Sequence, residues 1–288
     1  EPPADEIPTL LEGVLLNEIG AGRVRELASR LAQAAWDALP PGAERPSLLL
    51  AYDGRPQAAA GMAAAAEAFR AAGCRLLLAG AVTRGAFEWA LTRGPCRGLG
   101  GLMLGNPTGE EHRIALHTRL PQAASEIAVE EAAIRSGGTV SWCEIGPAWR
   151  EALRPAFHGL RPLRVQLASA RRAGRTALGA RSRGTRPRFE YRPARGPAPA
   201  SLPSAPETNS HLSFWTGCDC AAWRLFAQPG PAVSDHAAFA LLHSARRAPT
   251  SDTEPTTTHD SVAALAALLA ALSTSDAPLS RRLGTVQV

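Results

Sequence analysis

Ser47-Leu48-Leu49-Leu50-Ala51-Tyr52-Asp53-Gly54-Arg55-Pro56 is an apolar run closed by a turn sequence. A run that never alternates predicts a strand buried on both faces, as in parallel sheets. Asp-Gly-Arg-Pro then supplies residues suited to a tight turn. Upstream, Val24, Leu27, Ala28, Leu31, Ala34, Ala35 and Ala38 recur at intervals of three and four, so residues 20–39 read as an amphipathic helix stopped by Pro40-Pro41-Gly42. Downstream, the Ala-rich segment 57–72 reads as a helix ended by Gly73. It is followed by a strand over 75–80, a helix over 83–92 and a strand over 100–104. This alternation predicts an α/β fold, a mainly parallel sheet covered on both faces, with ligands expected at the carboxyl ends of the strands.

Further along, periodicity predicts helices over 125–136 and 149–157 and a strand over 163–167. Loops are expected from there to residue 209, where Arg, Pro, Ser and Gly dominate. Residues 212–215 and 223–226 read as a hairpin around a compact turn at 216–220. A helix over 233–246, a polar linker over 249–260 and an Ala/Leu helix over 261–272 complete the chain. At 288 residues the chain exceeds one ordinary domain of roughly 100–200 residues. The expected division is a first domain over 1–140, a shortened second over 141–260, and a C-terminal helix and tail over 261–288.

A composition of 45% hydrophobic and 20% charged residues is that of a globular chain. A net charge of +5 directs attention to anionic partners. The arginines are scattered except between Arg161 and Arg195, and that stretch has no aromatic residue before Phe189. Without a spread of stacking side chains it reads as a solvated face, so nucleic acid is not an expected partner. Five cysteines in no framework spacing fit a reducing compartment, and the cytoplasm is the expected location. No stretch approaches the ~20 apolar residues of a membrane span, so no membrane association is expected. The chain starts at Glu1, which leaves open that it is a fragment.

Three landmarks, in order, resemble the phosphohexomutases, the family of phosphoglucomutases and phosphomannomutases. Leu50-Ala51-Tyr52-Asp53-Gly54-Arg55-Pro56 is similar to the strand and DGR turn of that family's first domain. Gly100-Gly101-Leu102-Met103-Leu104 resembles the GGIMVT strand that leads into its catalytic loop. His211 to Phe226, followed by Val233-Ser234-Asp235-His236, resembles its DGDGDR metal loop and the helix after it. The resemblance covers about residues 10–120 and 205–270. It implies two three-layer α/β/α domains with mainly parallel mixed sheets, corresponding to the family's domains I and II.

The family's chemistry needs a phosphoryl-carrying serine, a Mg²⁺ held by three aspartates, basic groups, and a cleft that excludes water. Here the strand is followed by Gly105-Asn106-Pro107-Thr108-Gly109, so Asn106 and Pro107 remain and the serine does not; Thr108 stands as a displaced candidate nucleophile. His112 and Arg113 are candidates for touching a phosphate, as are Asp53, Arg55 and Asn106; for Asp53 and Arg55 the competing role is to build the turn. Aligned on Arg224-Leu225-Phe226, the metal positions fall on Gly217, Asp219 and Ala221, leaving Asp219 as a vestigial ligand. A thiolate site on Cys218 and Cys220 is the alternative to unligated thiols, although CxC lacks two further ligands. No cofactor is therefore expected, Mg²⁺ being that of the resembled family. The leading expectation is a catalytically degenerate phosphohexomutase-like protein that binds hexose phosphate. The alternatives are an active intramolecular phosphotransferase with a rebuilt or partner-completed site, and a non-enzymatic module for an acidic protein partner.

Overall fold

Leu48, Leu49, Leu50 and Ala51 expose no surface at all. Because successive strand side chains point to opposite sides, both faces of their sheet must be covered. The computed structural model describes residues 7, 9–14, 17–39, 42–106, 112–121, 137–157, 160, 162–169, 188–193, 212–216, 223–227 and 261–273. It divides into two units, the first holding the described residues up to 106 and from 112 to 149, the second those from 150 onward.

In the first unit the strands are β1 (Leu10–Val14), β2 (Ser47–Tyr52), β3 (Arg75–Ala81), β4 (Gly100–Gly105), β5 (Arg113–Arg119) and β6 (Val140–Trp142). They form one sheet in the order β1-β5-β4-β2-β3-β6. β2 pairs in parallel with β3 and β4, and β3 with β6. β5 runs antiparallel to both β4 and β1, so it alone opposes the common direction. The sheet is thus mixed and mainly parallel.

Helices α1 (Ala21–Asp37) and α2 (Ala59–Ala71) cover one face. Val24, Leu27 and Leu31 of α1, and Ala65, Ala68 and Phe69 of α2, join Leu48, Leu50, Leu102, Leu104, Ile114 and Leu116 in one buried cluster. Each large apolar side chain there contributes about 1.5–3 kcal/mol by leaving water. Helix α3 (Arg84–Thr92) covers the opposite face: a Cβ added to Gly101 would lie 3.0 Å from both Phe87 and Leu91. Local signals set these helix ends. Thr83 caps α3 by accepting from the Ala86 N–H at 3.2 Å. Gly73, at φ 77°, ends α2 while the N–H groups of Gly73 and Cys74 bond back to Arg70 and Phe69. That double bond pattern needs a left-handed residue, which glycine adopts without strain.

The structure corrects several expectations. Arg113, a candidate for touching a phosphate, opens β5, and His112 directly precedes that strand. β1, β5 and β6 were not anticipated. The helix expected over 149–157 begins earlier, as α4 (Ile145–Leu153), and ends in a 3-10 turn, Arg154–Phe157.

In the second unit β7 (Arg164–Ser169), β8 (Arg188–Pro193), β9 (Leu212–Thr216) and β10 (Trp223–Ala227) form a sheet in the order β10-β9-β7-β8. β7 pairs in parallel with β8 and β9, and β9 and β10 form the expected antiparallel hairpin. β8 overturns the expectation of unbroken loop to residue 209. Ser213 donates to Gln166 Oε1 at 2.8 Å, satisfying two polar side chains buried between β9 and β7. Phe214 stacks on Trp223 at a centroid distance of 5.7 Å. Helix α5 (Ser261–Ser273) buries Val262, Leu265, Leu268, Leu269 and Leu272, and the Ser261 hydroxyl lies 2.9 Å from that of Thr216.

The helices expected over 125–136 and 233–246, the linker over 249–260 and all of the 216–220 turn except Thr216 lie outside the described residues. Among the described residues no helix is long and apolar enough to cross a membrane.

The approach of α3 to β4 gives a stability test. A Cβ on Gly101 would also lie 3.0 Å from the Leu49 carbonyl oxygen, and backbone cannot swing aside. Gly101→Val should lower unfolding free energy by about 2 kcal/mol or more. Gly22, with nothing within 4 Å of its added Cβ in α1, should tolerate Ala with a gain of about 0.5 kcal/mol. Urea titrations of the two variants should move in opposite directions; equal midpoints would refute the packing described.

Candidate functional site

The connections from β2 and from β4 leave in opposite directions, through α2 to β3 on one side and to β5 on the other. Neighbouring parallel strands whose connections diverge leave a crevice beyond their carboxyl ends, the usual ligand position in such sheets. Two segments border it here, Asp53-Gly54-Arg55-Pro56 after β2 and Gly105-Asn106 at the end of β4.

Side chains of the protein itself occupy this border. Gly54 takes φ 85°, which lets the chain reverse. The Asp53 N–H donates to the Leu104 carbonyl at 2.9 Å, joining the turn to β4. Asp53 Oδ1 accepts from the Arg55 N–H at 3.0 Å, and Oδ2 accepts from Arg55 Nε at 2.6 Å. Beyond this ion pair the guanidinium spreads. Nη1 donates to the Arg113 carbonyl at 2.9 Å and Nη2 to the Gly105 carbonyl at 3.1 Å. Asp53 is fully buried and Arg55 is 1% exposed.

Removing both charges from water would be costly if either lacked partners. Here the planar fork bonds a carboxylate and two carbonyls on different strands, a geometry that an ammonium group cannot reproduce. Asp53 and Arg55 are therefore placed to clamp the ends of β2, β4 and β5 together. A phosphate approaching Arg55 would meet donors already directed at protein acceptors.

The structure brings five of the expected residues to the same end of this sheet: Asp53, Arg55, Asn106, His112 and Arg113. Asn106 is buried, Arg113 is half-buried, and His112, just before β5, is exposed. Thr108, Asp219, Cys218 and Cys220 lie outside the described residues. Among the described residues no group of three or more His, Cys, Asp or Glu side chains could hold a metal ion. What sequence reasoning missed is that the acceptors of Arg55 are main-chain carbonyls of Gly105 and Arg113, which no side-chain motif encodes.

No model of a known protein family matches the chain, and no curated protein matches it significantly. Solved structures do. A Thermus thermophilus protein provisionally named a phosphomannomutase is 16% identical, with a TM-score of 0.73 over 98% of this chain and 83% of its own. A phosphoglucomutase/phosphomannomutase family protein from Burkholderia thailandensis is 14% identical, with a TM-score of 0.61 over 82% of this chain and 57% of its own. The exocytosis-sensitive phosphoprotein pp63/parafusin, a phosphoglucomutase from Paramecium in its open form, is 10% identical, with a TM-score of 0.54 over 97% of this chain and 76% of its own. The chain spans little more than half of the Burkholderia protein. At these identities the likeness is one of fold, and that fold is phosphohexomutase-like.

The clamp can be tested by dismantling it. Arg55→Ala strands the buried Asp53 carboxylate and should lower stability by about 3–5 kcal/mol. Arg55→Lys should cost about 1–3 kcal/mol through carbonyls left unpaired. The double variant D53A/R55A should lose less than the two single losses added, because neither charge is left alone. Urea unfolding followed by tryptophan fluorescence measures these three variants and Asp53→Ala. A full-strength Arg55→Ala protein would show that Arg55 clamps nothing.

Proposed function

We propose that the chain is a phosphohexomutase-like protein of carbohydrate metabolism that binds a hexose phosphate without transferring its phosphoryl group. The observation that carries this reading is the donor set between β9 and β10. The pairing of Thr216 with Trp223 fixes residues 217–222 as their connection. Those residues are Gly217, Cys218, Asp219, Cys220, Ala221 and Ala222. Magnesium takes hard oxygen ligands at octahedral positions, and this connection offers one carboxylate and two soft thiols. These residues do not fit the Mg²⁺ of the resembled family, and no step is routed through it.

The nucleophile is equally wanting. The segment after β4 contains no serine, and the hydroxyl of Thr108 would need a neighbouring base to activate it. Binding makes smaller demands: positive charge and donors at the strand ends suffice to attract a phosphate. In this proposal His112 and Arg113 contact the ligand, while Asp53, Arg55 and the buried Asn106 hold the edge on which they stand. The likeness of fold supports hexose phosphate as the ligand class.

Incubation with glucose 1-phosphate or mannose 1-phosphate, Mg²⁺ and the hexose bisphosphate should yield no 6-phosphate. Calorimetry with the same sugar phosphates should show binding that weakens by about tenfold in Arg113→Ala, as expected for loss of one charge-assisted contact. Turnover that Thr108→Ala abolishes would sink the non-catalytic reading, and calorimetric silence would sink the binding one.

A further inference from the structure

Cys96 and Cys143 lie 47 residues apart in sequence, yet their Sγ atoms are 3.5 Å apart. Cys96, 2% exposed, sits in the turn after α3 with its N–H held by the Ala90 carbonyl at 3.0 Å. Cys143 directly follows β6, is partly exposed, and has its N–H held by the Leu78 carbonyl at 2.9 Å. Disulfide sulfurs stand about 2.0 Å apart, so a closure of about 1.5 Å separates the present contact from a bond.

We propose that Cys96 and Cys143 form an oxidisable dithiol site that takes a low-molecular-weight disulfide as co-substrate and closes into an internal bond fastening β6 to the α3–β4 connection. The Cys143 thiolate attacks one sulfur of R–S–S–R, forming a mixed disulfide and expelling RS⁻. Cys96 then gives its proton to solvent and attacks Cys143 Sγ, expelling the second RS⁻. The protein thiols lose two protons and two electrons, and the reagent is reduced to two thiols once both RS⁻ are protonated. Exposure assigns the order. Burial, together with the bond and charge of Cys143, pushes the Cys96 thiol up to about 12, so at neutral pH it stays protonated while the solvent-reached Cys143 reacts first.

The bond has a mechanical purpose at this place. β6 is joined to β3 by three residue pairs, and its Val140 and Trp142 are 47% and 77% exposed. Three pairs at a sheet edge hold a strand weakly. A covalent link at Cys143 would restrain this strand through the Cys96 turn, which bonds back to α3. In the reduced protein this covalent restraint is absent.

The test uses the full chain in its native state. After treatment with oxidised glutathione, blocking of residual thiols with N-ethylmaleimide and tryptic digestion, residues 94–97 should be recovered joined to residues 136–150, and dithiothreitol should separate them. The oxidised protein should melt higher by on the order of 10 °C, reversibly, since the bond closes a long loop. Cys96→Ser should accumulate a lasting glutathione adduct on Cys143, and Cys143→Ser should leave Cys96 unmodified. Recovery of both cysteines in the untouched wild-type sequence as maleimide or glutathione adducts, with no cross-link between them, would overturn the proposal. So would a cross-link joining either one to Cys74, Cys218 or Cys220 instead.

Discussion

An arginine and an aspartate withdrawn from water at the end of β2 constrain everything around them. Asp53 and Arg55 are both buried, and their charges are tolerable because each of the three guanidinium nitrogens donates to an oxygen of the protein. Those oxygens belong to β4 and β5, so the pair fixes the relative positions of three strand ends. The reversal at Gly54 and the entry into α2 follow from the same bonds. Moving any one of these strands would leave a buried donor without an acceptor.

This has a bearing on how function can change while the fold persists. The turn that the resemblance places near a catalytic centre has a sufficient structural reason to exist, since the clamp needs Asp53 and Arg55 whatever happens nearby. The segments that would carry chemistry, around Thr108 and Asp219, are connections whose alteration need not disturb the apolar clusters of the sheets. A chain of this kind can change residue by residue at those connections and keep its fold.

The central strands β2, β3 and β4 were legible because a strand buried on both faces writes itself as an unbroken apolar run. The helices between them were legible from their periodicity and from Gly73. β5 was not, because its buried residues mix Ile114, Ala115 and Leu116 with His117 and Thr118, polar residues that are nonetheless buried. β8 was hidden by its setting: Phe189 and Tyr191 alternate as in a strand, yet they sit in a stretch whose Arg and Pro content argues for loop. At the strand ends, the turn around Asp53 and Arg55 could be read, but not its anchors. Main-chain carbonyls leave no mark in the sequence, and Cys96 meets Cys143 only through the folding of the sheet.

The lone reversed strand also sets a timetable for biosynthesis. β1 leaves the ribosome well before its partner β5, with Leu10 opposite His117. At translation speeds of about 5–20 residues per second, roughly 5–20 seconds pass before that partner emerges. Throughout that interval Leu11 and the side of α1 that waits for the sheet are uncovered. The nascent chain thus offers β1 to chaperones until β5 has been made.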